Sequence, residues 1–136
     1  MSETLSVSEL QFFDIHPDAL PLYETLREKV FQKVPEMRIE VKKTQISFFD
    51  RYMFAAVSFT PVRRVKDRPR PFITLTFGLP MKKESSRIDI STEAYPGRWT
   101  HHVTIGKQEE IDTELLSWIT EADAFAKTKR SRRSIL

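Results

Sequence analysis

The sequence predicts an α+β domain, a two-layer sandwich in which an N-terminal and a C-terminal helix cover one face of an antiparallel sheet of five or six strands. Three observations carry this prediction. Apolar residues recur at helical spacing near both ends of the chain, they alternate with polar residues through the middle, and short turn-forming segments join the alternating runs into what reads as an antiparallel meander. A length of 136 residues suits one domain.

Residues 1–8 are polar and read as a loose lead-in, with Leu10, Phe12 and Phe13 as a short apolar run that packs on the core. The first helix is expected from Asp18 to Val34, because Leu22, Leu26 and Val30 recur every four residues with Tyr23 and Val34 beside them. Asp18 is placed to cap its first turn. Pro21 is tolerated there, since first-turn amides have no helical acceptor. Pro35 ends the helix by pushing its predecessor out of the α region.

Ile39 and Val41 then alternate with Glu40 and Lys42, and Ile46 and Phe48 alternate with Gln45, Ser47 and Phe49. Asp50-Arg51-Tyr52 is a turn, and Met53 to Phe59, apolar on both faces, is a central strand. Pro61 to Pro71 holds four Arg, one Lys and one Asp and reads as an exposed loop. Ile73, Leu75 and Phe77 alternate with Thr74 and Thr76 up to Gly78-Leu79-Pro80. Ile88, Ile90 and Thr92 form the next strand, and Trp99, His101, Val103 and Ile105 the last, with Pro96-Gly97 between them. The final helix runs from Asp112, its N-cap, to Ala126. Ile111 and Leu116 have the spacing of a hydrophobic staple, and Glu109, Glu110 and Glu114 sit near the positive end of the helix dipole. The domain is thus expected over residues 1–126, followed by a basic, disordered tail over 127–136.

That tail carries Lys127, Lys129, Arg130, Arg132 and Arg133 and no acid, so leaving it out turns the net charge of +3 into −2 for the folded part. A slightly acidic body argues against a domain-wide nucleic-acid surface. The chain has no cysteine, which removes disulfides, zinc–thiolate sites and cysteine nucleophiles. Met1 to Glu9 has no base and no long apolar run, so no signal peptide is expected, and no stretch approaches the roughly 20 apolar residues that span a bilayer. The protein reads as soluble and cytoplasmic, with no membrane contact. With only three glycines there is no phosphate loop or dinucleotide fingerprint, and no cofactor is expected.

Strand parity selects the functional surface. The face turned away from the helices should carry Gln45, Ser47, Ser58, Thr74, Thr76, Arg98, Thr100 and His102, with Phe49, Phe54 and Tyr95 as aromatic neighbours. The ligand-binding set is Gln45, Ser47, Thr76, Tyr95, Arg98 and His102. Polar groups gathered around aromatic surface suit a small polar ligand, and exposed rings suit a second copy of the chain. Thr and Ser are also ordinary residues of a solvated sheet face, the blander reading. His101 falls on the core side and reads as a hydrogen-bonded, half-buried core histidine. The two histidines face opposite ways, so one metal ion cannot take both.

The leading expectation is therefore a non-enzymatic binding or interaction domain. A metal-dependent nuclease is the alternative, since Asp18 followed by Glu40-Val41-Lys42 matches the residue types of such a site. A further alternative is nucleic-acid association through Arg63 and Arg64 of the loop and Arg130, Arg132 and Arg133 of the tail, although neither segment interleaves aromatics with its charges.

Whole segments also look familiar. Thr44-Gln45-Ile46-Ser47-Phe48, Phe54-Ala55-Ala56-Val57, Gly78-Leu79-Pro80 and Tyr95-Pro96-Gly97-Arg98-Trp99-Thr100-His101-His102 follow in order. Asp112-Thr113-Glu114-Leu115-Leu116 comes next, with Trp118 and Ala122. From about Leu22 to Phe125 the chain resembles a small bacterial domain family of unknown function whose members are sometimes labelled predicted transport proteins. The resemblance implies the helix–sheet–helix layout and no particular reaction.

Overall fold

The structure is a computed structural model that describes residues 4–128. Strands β1 (Arg38–Val41), β2 (Ile46–Phe49), β3 (Met53–Ser58), β4 (Ile73–Leu79), β5 (Ile90–Tyr95) and β6 (Arg98–Ile105) form one antiparallel sheet in the order β1-β2-β3-β4-β6-β5. The first four strands and the β5–β6 hairpin follow the expected meander, but the order breaks after β4. The chain from Pro80 to Asp89 passes β6 and enters at the outer edge, so β6 rather than β5 pairs with β4, from Ile73↔Ile105 to Leu79↔Trp99. A short Pro96-Gly97 turn shows that two strands pair; it does not say which of them faces the earlier sheet.

Helix α2 (Leu20–Lys33) and helix α3 (Thr113–Ala126) lie on one face. Leu22, Tyr23, Leu26 and Val30 of α2 and Leu115, Ile119 and Ala122 of α3 share one buried cluster with Ile46, Phe48, Val57, Leu75, Phe77, Val103 and Ile105. Those strand residues are of one parity in the register, so alternation placed the core correctly. Asp112 caps α3 as expected, with Oδ1 accepting from the Leu115 amide at 3.0 Å.

Two sequence expectations change at the N-terminus. Residues 7 and 8 are not a loose lead-in: a short helix, α1 (Val7–Phe12), starts there behind a Ser6–Glu9 capping box. Asp18 does not cap α2. Pro17 opens a separate 3-10 turn over Pro17–Ala19, and Ala19 takes the N-cap position without a side-chain bond. Residues 127 and 128 are described; the remainder of the basic tail, with Arg130, Arg132 and Arg133, lies outside the described residues.

Candidate functional site

The longest strand pairing in the sheet carries the candidate site. Along β4 and β6 the residues turned away from the helices pair as Thr74↔Thr104, Thr76↔His102 and Gly78↔Thr100. The Thr76 hydroxyl and His102 Nδ1 are 2.9 Å apart. Arg98, next on the same face of β6, folds its guanidinium over Gly78: a Cβ on Gly78 would lie within 2.6 Å of the guanidinium carbon and both of its terminal nitrogens. The missing side chain is what makes room for that group. Gly78 and Thr76 are two residues apart on one strand face, about 7 Å, so guanidinium, hydroxyl and imidazole stand in one neighbourhood.

Arg98 is partly buried and has no hydrogen bond, ion pair or ring contact among the described residues. A guanidinium presents five donors in a rigid fork and cannot lose its charge, so a sheltered one without an anion has unused binding capacity. Burial holds the His102 imidazole below its ordinary value and thus in the neutral form at neutral pH. The arrangement can bind an anion through Arg98 and orient it through Thr76 and His102.

Of the other predicted site residues, Tyr95 lies beside this group, whereas Gln45 and Ser47 do not. Tyr95 pairs with Arg98 from the edge strand β5, where it is exposed, so it adjoins the group. Ser47 lies in the same register row as Thr76 but two strands away, about 10 Å, with Ala56 between them. It is wholly buried, and Gln45 Nε2 donates to its hydroxyl at 2.9 Å. Gln45 and Ser47 therefore satisfy each other.

The face is also less open than alternation suggested. Ser58, Thr74 and Thr104 are buried, Thr74 donates to the Thr60 carbonyl at 2.6 Å, and Arg63 reaches Asp89 at 2.8 Å across the ends of β4 and β6. Phe54 is no exposed neighbour. A bulge places it as the extra residue between the pairs Phe48↔Ala55 and Phe49↔Met53, and it is buried in the core cluster, 6.4 Å from the Phe48 ring. Phe49 lies under two cations, Arg38 at 5.2 Å and Lys42 at 5.7 Å.

His101 takes the core place read for it. It is wholly buried, stacks on Phe77 at 5.2 Å, and its Nε2 accepts from the Lys83 amide at 3.0 Å. Burial first, then the charge of Lys83, pushes its imidazole down from the ordinary value.

The nuclease residues do not converge. Glu40 belongs to the register row of Ser47 on edge strand β1 and pairs with Arg38 at 3.6 Å, whereas Asp18 lines a cleft with Phe59 and Phe72. Among the described residues no group of three or more His, Asp or Glu is placed to hold a metal ion. The basic loop differs from its sequence reading as well. Arg63 is paired with Asp89, Arg64 with Asp67 at 3.6 Å, and Arg68 lies 5.9 Å from the Phe72 ring centre, so folding interleaves aromatics with charges that the linear order kept apart.

The fold and this face define an α+β domain built on a single antiparallel sheet with both long helices on one side. The chain belongs to the family Domain of unknown function (DUF5655), whose profile matches residues 9–126. No curated protein and no solved structure matches it. No helix among the described residues is long and apolar enough to cross a membrane.

Proposed function

We propose that the domain is a binding module that takes a small polar anion, a carboxylate or a phosphate ester, on the β4–β6 face. The observation that carries the reading is Arg98, a sheltered guanidinium bedded on Gly78 beside the Thr76–His102 pair and without an anionic partner among the described residues. Charge-assisted, two-pronged hydrogen bonds from Arg supply both energy and orientation for such a ligand. The absence of cysteine fits a reducing compartment, and we place the domain in the cytoplasm.

The test is a thermal-shift and NMR titration with a panel of carboxylates and phosphate esters. A binding anion should shift the amides of residues 76–78 and 98–102 and bind at least about tenfold more weakly to Arg98→Gln. Saturable binding that Arg98→Gln and His102→Gln leave unchanged would remove this face as the site.

A further inference from the structure

Beyond β3 the chain from Phe59 to Phe72 turns back against the 3-10 turn that precedes α2, and the two segments enclose a cleft of about 330 Å³. That volume lies at the lower end of small-molecule sites, roughly 300–1,000 Å³. Phe72 supplies an apolar wall, with the Arg68 guanidinium 5.9 Å from its ring centre, while the Phe59 ring is already stacked on Phe12 at 5.2 Å and backs the His16 ring, 4.5 Å away, which lines the cleft. Arg70 and Asp18 line the same cleft, and their side chains have no hydrogen bond or ion pair among the described residues.

The loop is held at several points despite its charge. Thr74 ties down Thr60, Arg63 ties to Asp89, and Pro69 seats against Gly106 so closely that a Cβ there would overlap the proline ring. The cleft is therefore formed before any ligand arrives, which spares the cost of ordering it.

Three requirements on an occupant follow. Two guanidiniums against one carboxylate call for a negative group, and phosphate matches the guanidinium fork. The Phe72 and His16 rings in the lining call for a planar group, because bases stack on aromatic side chains whatever their sequence. The unpaired Asp18 carboxylate calls for an N–H or O–H donor. We propose that this cleft binds a nucleoside monophosphate, with the phosphate on Arg68 and Arg70, the base against the His16 and Phe72 rings and a ribose hydroxyl or base amine on Asp18. The nucleotide can be free or the phosphorylated end of a single strand. This site is separate from the β4–β6 face, and neither proposal needs the other.

Calorimetric and NMR titrations of the full chain with AMP, adenosine, inorganic phosphate and a short 5′-phosphorylated oligodeoxyadenylate test it. AMP should saturate a single site and shift the amides of residues 16–19 and 68–72, while adenosine and phosphate alone bind at least about tenfold more weakly. The double variant Arg68→Gln/Arg70→Gln, both side chains being solvent-accessible, should lose about tenfold or more with an unchanged melting temperature. Tighter binding of AMP than of the oligonucleotide assigns the free nucleotide; the reverse, with the same sensitivity to the double variant, assigns the strand end. The proposal is overturned if neither ligand binds saturably, if the shifted amides lie elsewhere, or if the double variant binds as the parent does.

Discussion

His101 and His102 are neighbours in sequence and opposites in chemistry, and strand alternation alone separates them. His101 is sealed against Phe77 with its imidazole held neutral, and the unfolded chain gives that ring its ordinary affinity for protons. Below about pH 6.5 the unfolded state thus binds more protons than the folded one, and stability falls as pH drops. The slope contributed by one such histidine is at most about 1.4 kcal/mol per pH unit. Urea unfolding between about pH 7.5 and 5.5 should be less steep in pH for His101→Gln than for the parent. An equal slope would show that the protons go elsewhere. Gly78 makes a second prediction at this scale. The atoms nearest a Gly78→Ala methyl belong to the movable end of Arg98, so the melting temperature should change little while anion affinity on this face drops. Retained affinity would mean that the bed under the guanidinium does not matter. Alternation made His101 and the Thr76, Arg98 and His102 row legible from sequence. The mutual satisfaction of Gln45 and Ser47 was not, because it depends on a rotamer and not on parity.

Among the elements, α1 is held by charge more than by length. Its six residues are too few for a stable isolated helix. Glu9 is buried, accepts hydrogen bonds from the Tyr23 hydroxyl and from Arg27 Nε, the latter at 2.8 Å, and also binds the Ser6 amide at 2.8 Å. These bonds outweigh the burial that opposes ionisation, so the carboxyl is held below its ordinary range, and the Tyr23 hydroxyl is pushed up by burial and by Glu9. Glu9→Ala would take the buried carboxylate away from Arg27 and Tyr23 and should cost about 2–4 kcal/mol in urea unfolding, with α1 amides exchanging freely. Full protection of those amides in the variant would contradict this role. Ser6-x-x-Glu9 is a readable capping box and is the signal that could have revealed the helix. The 3-10 turn that displaces Asp18 had no comparable signal, because Pro17 is equally at home at a helix start.

Across the whole molecule, the elements were legible and their neighbours less so. All six strands and both long helices follow from periodicity and turn residues, but the exchange of β5 and β6 is a long-range choice that no local pattern encodes. The same holds for the cleft, whose aromatics and arginines meet only because Phe59 follows β3 and Phe72 precedes β4, at the two ends of the basic loop. One buried charge spans the layers. Asp123 of α3 is mostly buried, its Oδ1 has no hydrogen-bond partner among the described residues, and burial with the nearby Asp50 raises its carboxyl above the ordinary value, although Lys127 sits 3.4 Å away. A carboxyl that resists ionisation in the fold destabilises it at neutral pH. Asp123→Asn should therefore raise the melting temperature at pH 7, and a lowered one would show that the Lys127 pair outweighs the burial.

The exchange of the last two strands has a mechanical result. It sets β6 in the interior of the sheet, paired with β4 on one side and β5 on the other, and so puts His102 on backbone paired along both flanks, while Arg98, at the hairpin end of the strand, pairs with Tyr95 of β5. Such backbone opens only when much of the molecule does, so its amides should be among the slowest to exchange with deuterium. A guest arriving at that surface would meet a stiff anvil, and its residence time would be set by the guest's own fit rather than by any yielding of the host.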